Sequence, residues 1–465
     1  MKISILHISD LHKESTDNYD NLLQSMKDDC EKYTAQGLKK PEIIVVTGDL
    51  IKGGTQTEIK TQYSEVAGFL NNLVRFFLSG DKTRIIIVPG NHDIDCNVSK
   101  ASMQQELAAN NKENFGKLHM KDSKIRWSWK EFCFYKIEDD SKYCDKFLLF
   151  AEFYNAFYGR TYSTNPHEQF HVHDIYQCGV TFIAFNSCYN NDHLNFSGII
   201  KPDCISKVSE DLKKFHNLGR ILIAVWHHNT TGLPYEDNYM DKRILRSMID
   251  KHIQIGLHGH HHKCQVTFEY KNVFEDDKML IISSGTLYGN RTSLPSGTKR
   301  QYNIIEIKNE DDKAKITIHS REDKSQNEFD IPSWGDGRID DSSNSSWATE
   351  IKLPSQPPIE MILNSIMEET EQSADFNLGI SKLLKLDTTD LLVRKCLLDY
   401  LERENNYILI FEHFNNPQNN EEAMSLLNAV IELNDSAKMK EVSEIPFIIE
   451  NQDASIKQIV QHLRK

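Results

Sequence analysis

Five apolar runs in the first two-thirds of this 465-residue chain each end on side chains that bind metals: Asp10-Leu11-His12, Gly48-Asp49, Gly90-Asn91-His92-Asp93, His227-His228 and Gly259-His260-His261-His262. The runs ahead of them are Lys2 to Ile8, Glu42 to Thr47, Arg84 to Val88, Ile221 to Trp226 and Ile253 to Leu257. Their length and β-branched content are those of buried strands. Carboxylates, imidazoles and amide oxygens are the donors that divalent first-row metals take, and a strand end is a rigid place from which to aim them. The pattern therefore calls for a fold that gathers five distant strand ends in one place.

The spacing supplies such a fold. From Met1 to Asp93 strands alternate with helical stretches over Tyr19 to Gly37 and Gln62 to Leu78, which predicts an α/β layered core. Residues from about 96 to 178 break that rhythm and read as a largely helical insertion rich in aromatics, with Trp127, Trp129, Phe132, Phe134 and Tyr135 close together. That cluster is either the apolar core of the insertion or a cap beside a cleft, able to stack a base. The core resumes at Gly179 to Ser187, with a helix near Lys207 to Leu218 and further strands near Gln265 to Tyr270, Met279 to Ser283, Tyr302 to Ile307 and Ala314 to Ser320. The expected division is a first domain over 1–333, a linker over 334–358, marked by Asp340 to Ser346 and Leu353 to Pro358, and a mostly helical domain over 359–465.

Charge and cysteine usage narrow the class. The net charge of −14 is uneven: about −3 ahead of Trp334 and about −11 from there on. No basic run advertises nonspecific binding of nucleic acid, although bound metals would add positive charge inside a cleft. The nine cysteines are odd in number and form no Cys-x-x-Cys pair, which fits reduced thiols and a cytoplasmic location. No stretch is long and apolar enough to span a membrane, and the N-terminus reads as a first strand rather than a targeting segment.

In their order, the segments D-x-H, G-D, G-N-H-D, H-H and G-H-x-H resemble those of the calcineurin-like metallophosphoesterases, over roughly residues 1 to 320. The resemblance implies an α/β fold, a four-layer αββα sandwich, here with the insertion and the C-terminal helical domain added. It implies two divalent ions, manganese foremost with iron, zinc or nickel as alternatives. Asp10, His12, Asp49 and His262 would hold one; Asp49, Asn91, His227 and His260 would hold the other. His92 would face the substrate and protonate the leaving oxygen, and Asp93 would fix the His92 ring. His228 is then a neighbour rather than a ligand, and His258 falls outside the G-H-x-H frame. His7, His119, His167, His171, His173, His193 and His216 have no such frame and read as ordinary surface or core residues.

Departures from relatives point to one branch. The Ser/Thr phosphatases of the superfamily carry an Arg after the second motif and G-N-H-E in the third, whereas this chain has Leu50-Ile51-Lys52 and Asp93. Purple acid phosphatases use a Tyr ligand and lack a His in the first motif, whereas this chain has Lys52 and His12. What remains is the phosphodiesterase branch. The expected function is hydrolysis of a nucleotide or nucleic-acid diester by attack of metal-activated water. The alternatives are a nuclease subunit of a larger complex, a cyclic-nucleotide phosphodiesterase, a phosphomonoesterase and a non-catalytic scaffold. Expected partners are the phosphate-ester substrate, nucleic acid among the candidates, and a protein partner or second copy bound through the acidic C-terminal helices. No membrane is expected.

Overall fold

Every apolar run that precedes a ligand-type segment is a strand in the computed structural model. That model describes residues 2–14, 19–118, 120, 122–232, 238–271, 277–288, 294, 299–310, 312–325, 331–340, 342–354 and 359–463; His119, Asp341, Arg464 and the linker residues 355–358 lie outside the described residues. In chain order the strands are β1 (Lys2–Ile8), β2 (Ile43–Val46), β3 (Ile85–Ile87), β4 (Met103–Gln105), β5 (Ile125–Ser128), β6 (Cys133–Ile137), β7 (Phe170–Ile175) and β8 (Val180–Phe185). They continue as β9 (Ile221–Val225), β10 (Ile253–His258), β11 (Gln265–Tyr270), β12 (Lys278–Ser283), β13 (Gln301–Glu310), β14 (Lys313–Asp323), β15 (Trp334–Asp336) and β16 (Ser346–Lys352).

Two large sheets result. One has seven strands in the order β15-β14-β13-β1-β2-β3, with β16 also on β14; the other has six in the order β11-β12-β10-β9-β8-β7. Within them β1, β2 and β3 are parallel, as are β8, β9, β10 and β12, so the ends that carry the ligand-type residues lie along one edge of each sheet. The period of two along each strand decides what every face buries. Ile3, Ile5, Ile43, Val45, Ile86 and Val88 meet Val180, Phe182, Ile223, Val225, Ile255 and Leu257 between the sheets. Alternate residues Leu6, Ile8, Ile44, Val46, Ile85 and Ile87 turn to helices Tyr19–Glu31, Gln56–Leu78 and Leu148–Tyr158. Ile183, Phe185, Leu222 and Ala224 turn to helices Pro202–Asn217 and Lys242–Ile249. This is the αββα sandwich.

Differences from expectation have local causes. Helix Gln56–Leu78 starts a turn and a half before Gln62 because Thr55 and Glu58 form a capping box, a signature written in the sequence as Thr55-x-x-Glu58. The insertion carries helices Cys96–Ala101, Asn111–Leu118 and Leu148–Tyr158, but its centre is a three-stranded antiparallel sheet in the order β4-β6-β5. Trp127 on β5 faces Phe134 on β6 at 4.7 Å and Phe115 at 5.6 Å, so it packs as core of that sheet. Trp129 and Phe132, at the hairpin turn, are exposed.

The region expected as a linker, 334–358, carries two strands of the first sheet. β15 pairs Trp334 with Asp323, and β16 pairs with β14 from Ser346 against His319 to Lys352 against Lys313. The chain divides into units Met1–Ser355 and Gln356–Lys465, a boundary some twenty residues later than 333. Serine and aspartate composition hides the strand because a short edge strand needs only one apolar face: Trp347 and Ile351 pack between the sheets while Ala348, Glu350 and Lys352 on the other face are exposed. Trp334 is buried too, donating from Nε1 to Ser25 Oγ at 2.9 Å and lying edge-on to Tyr302 at 4.8 Å. A chain ended after Pro354 is therefore expected to keep the thermal midpoint of the first unit. One ended at Ser333 loses a buried Trp and two edge strands, and its midpoint in a thermal melt should fall by at least about 5 °C.

The second unit is helical, as expected, with helices that include Ile359–Ser373, Leu391–Arg403, Asn420–Leu433 and Ala454–Leu463. Asp375, Asp390, Asn419 and Asp435 cap helix starts by accepting from main-chain amides, the usual reason such residues precede apolar runs. Arg394 and Glu422 form a buried bidentate pair at 3.0 and 2.7 Å. Leu398 faces this unit's own core, whereas Leu391 and Leu392 at the helix start are exposed. Among the described residues no helix is long and apolar enough to cross a membrane.

Candidate metal centre

All five segments meet at one edge of the sandwich. Asp10 Oδ1 lies 3.6 Å from His12 Nε2 and 3.2 Å from His262 Nε2, and these two nitrogens are 3.3 Å apart. Beside this trio, Asn91 Oδ1 lies 2.9 Å from both His227 Nε2 and His260 Nδ1, which are 3.1 Å apart. Asp49 Oδ2 stands between the two groups, 3.8 Å from His12 Nε2 and 3.4 Å from His227 Nε2. Donor atoms bound at about 2.0–2.2 Å to one ion stand roughly 3.0–3.4 Å from one another, so both groups fit a cation at their centre. Asp10 Oδ1 is buried with the His12 and His262 imidazoles turned to it, which suits an oxygen meant for a metal. The other residues at the centre supply support and bring His92 close to the same space: the rings of His12 and His92 are edge to face at 4.8 Å.

The backbone is bent to make this possible. Asp10, His12, Asp49, His260 and His262 all have left-handed φ between 43 and 69°. Such positions cost on the order of 1–3 kcal/mol each for residues with a side chain, and they persist where a site needs them. The glycines in the motifs follow from the crowding. A Cβ on Gly259 would lie 1.8 Å from Ser9 Oγ and 2.7 Å from Asp10 Oδ2, and one on Gly90 would lie 2.1 Å from Asp49 Oδ1. Gly48 has φ +92°, and a Cβ there would lie 2.7 Å from Gly90 N and 2.8 Å from His227 Nδ1.

Burial and the two carboxylates set the charges of the donors. Burial lowers His12 to about 4 and His260 to about 3, so both imidazoles are neutral and offer lone pairs. Burial would lower His227 as well, but the charges of Asp49 and Asp10 outweigh it and raise it to about 9. Burial works against the charge on Asp10, yet His262 and His227 hold its carboxyl below the usual range. The His227 ring is aimed by its other nitrogen, Nδ1, which donates to Thr47 O at 2.7 Å.

Asp93 differs from expectation. It does not touch the His92 ring: Oδ2 accepts from the amides of Gly90 at 2.8 Å and Leu50 at 3.1 Å, and Oδ1 accepts from Tyr63 OH at 3.2 Å. Burial, with Asp49 close by, pushes its carboxyl up to about 7. Its work is to tie the loop of Asn91 to the loop of Asp49. The His92 ring is fixed instead by the Lys52 carbonyl, which accepts from Nδ1 at 3.0 Å. That carbonyl is held in turn by Gln62, whose Oε1 accepts from the amides of Lys52 and Gly53. A main-chain acceptor leaves no trace in the sequence, which is why the nearest carboxylate stood in for it.

Ser187 also escaped notice. Its Oγ accepts from the amides of His227 at 3.2 Å and His228 at 3.3 Å and pairs with His228 Nδ1 at 2.8 Å. It closes the apolar run of β8, so the strand-end rule that marked the other segments applies to it too. His228 is buried behind His227, and His261 turns away to Gln265 Oε1 at 2.7 Å. His258 is buried against Trp226, their rings stacked at 5.9 Å.

The model of the calcineurin-like phosphoesterase family matches residues 3–264, a stretch that contains all five segments. No curated protein matches the chain. Among solved structures, a dimetal phosphatase from Danio rerio is 8% identical at a TM-score of 0.38, with 68% of this chain and 95% of that one covered. A variant of Vps29 from Entamoeba histolytica is 9% identical at 0.27, covering 75% and 99%. The calcineurin-like phosphoesterase YfkN from Bacillus subtilis is 13% identical at 0.26, covering 82% and 98%.

Proposed function

The chain belongs to the calcineurin-like phosphoesterases, and from that premise we propose that it is a dinuclear-metal hydrolase of phosphodiesters, acting on a nucleotide or nucleic acid. The observation that carries the reading is the pair of donor groups joined through Asp49. Asp10, His12, Asp49 and His262 would hold one divalent ion, and Asp49, Asn91, His227 and His260 the other. When bound, such a pair supplies a water-derived nucleophile at neutral pH and positive charge against the phosphoryl oxygens.

The chain's own residues do the rest. Asp49 shares its carboxylate between the two groups and, through Oδ1, accepts from the His92 amide at 2.8 Å, so it also sets where His92 stands. Because a carbonyl only accepts, Lys52 O keeps a proton on His92 Nδ1 and leaves Nε2 to face the substrate. A second proton, carried on Nε2, is the one given to the leaving oxygen. Asp93, Gln62, Thr47 and Ser187 hold the loops and rings in register.

The diester preference rests on His12, which completes the first donor group, on Lys52 near the place of a tyrosine ligand, and on the stretch Gly48 to Gly54 with Asp93, which departs from the Ser/Thr phosphatase signature. With manganese supplied, the protein should hydrolyse bis(p-nitrophenyl) phosphate at a higher kcat/KM than p-nitrophenyl phosphate. A reversed order of the two rates would overturn the diester reading while leaving the metal site intact.

A further inference from the structure

Lys146 is a buried ammonium that the proposed chemistry does not use. It lies in the insertion, on the short helical turn Asp145–Phe147. Nζ donates to the carbonyls of Tyr189 and Asn191, each at 2.7 Å, and stands 3.5 Å from the centre of the Tyr143 ring. Burial draws the Lys146 ammonium down to about 7, with the nearby charge of Asp192 opposing it. Asp192 is already matched by Arg126, whose Nε donates to Oδ2 at 2.6 Å. A charge buried in this way is costly, and packing alone is often served as well by an apolar residue. Here the charge sits where two loops of the metal centre meet.

One of them is the third ligand segment. The Lys146 carbonyl accepts from the amide of Asp95 at 2.9 Å, a short way past Asn91. The other loop follows β8 and begins with Ser187, whose Oγ accepts from the amides of His227 and His228. Tyr189 and Asn191, the acceptors of the ammonium, belong to it. Phe147 packs with Ile94 of the first loop and Cys188 of the second, and Cys188 Sγ donates to Pro89 O at 3.6 Å, just ahead of Gly90-Asn91. The turn is therefore a wedge that holds one loop by its main chain and the other by its ammonium. These loops support Asn91 and His227, whose Oδ1 and Nε2 stand 2.9 Å apart in the second donor group. Asp10, His12 and His262 follow β1 and β10 instead.

We propose that Lys146 is a positioning residue for the second donor group, setting the separation of Asn91 from His227 and with it the affinity for the ion that group would hold. The proposal rests on the two-ion reading above. In a calorimetric titration of the metal-free full chain with manganese, Lys146→Met should weaken one ion by roughly 10- to 100-fold, the range for a residue that supports a ligand, and leave the other within about 2-fold. Lys146→Gln, whose amide offers two N–H groups to the same carbonyls without a charge, should show a smaller loss on the same ion. A lysine with a merely structural role would lower the thermal midpoint of Lys146→Met and leave both affinities unchanged; that result, or an equal fall at both sites, overturns the proposal. Should Lys146→Met not fold, the titration of Lys146→Gln decides, and unchanged affinities there overturn it. If the unsubstituted chain takes up fewer than two ions, the two-ion reading falls, and hydrogen exchange of the metal-free protein decides the wedge separately. Faster exchange in the substituted chain at the amides of Asp95, His227 and His228 supports it, and unchanged exchange at all of them overturns it.

Discussion

Asp49→Ala should leave the protein with fewer than one tightly held divalent ion per chain where the unsubstituted protein takes up two, and should lower diester hydrolysis by more than roughly 10³-fold. Loss of a residue that only supports a ligand costs about 10- to 100-fold, and loss of the shared carboxylate must exceed that because both donor groups lose a member at once. The geometry gives three reasons. Among the described residues, Oδ2 is a carboxylate oxygen within 4 Å of donor nitrogens from both groups, His12 and His227. The charge of Asp49 is what counters the burial of His227. Oδ1 anchors the amide of His92, so the proton donor is displaced as well. Replacing a terminal ligand, as in His12→Ala, removes one donor from one group and should leave the other ion in place. Asp49→Asn is the control for folding, since it keeps the size and the acceptor for His92 N; metal analysis and a thermal melt on that variant separate loss of the ions from loss of the fold. Two ions still bound in Asp49→Ala would sink the shared-carboxylate assignment.

What was legible in the sequence and what was not divides along the range of the interaction. The strands before Asp10, Asp49, Asn91, His227 and His260 could be read because they are buried on both faces, and a run such as Ile43 to Val46 has no other use for four consecutive β-branched residues. The donor groups could be read because they sit where those runs stop. β15 and β16 could not, being edge strands with one buried face and polar neighbours. The small sheet of the insertion was hidden for a similar reason: β4 and β5 are three and four residues long and hold together by pairing to β6, a contact that no local pattern encodes. The support of His92 was misassigned to Asp93 because adjacency in sequence was taken for contact. In the folded chain the two side chains diverge, and the ring reaches a main-chain carbonyl forty residues away in sequence.

His92→Ala should slow diester hydrolysis by roughly 10²- to 10⁴-fold, the span usual for removing a general acid, while both ions stay bound. The outcome discriminates because His92 is close enough to be a ligand: with His12 and Asp49 it forms a third group whose donor atoms lie within 4.8 Å of one another. The hydrogen bonds argue for the other role. His92 gives its amide to Asp49 and its Nδ1 proton to Lys52, so both contacts orient the ring without using Nε2, and Nε2 is then free to hold and release a proton. His12, by contrast, directs Nε2 at Asp10, Asp49 and His262 together, as a ligand does. The split can be read in the leaving group. A p-nitrophenolate departs with little need of a proton, so His92→Ala should cost much less on the p-nitrophenyl diester than on a dinucleotide, whose alkoxide leaves badly unless protonated. A metal content that falls with the substitution would move His92 among the ligands, and an equal loss on good and poor leaving groups would remove it from the proton transfer.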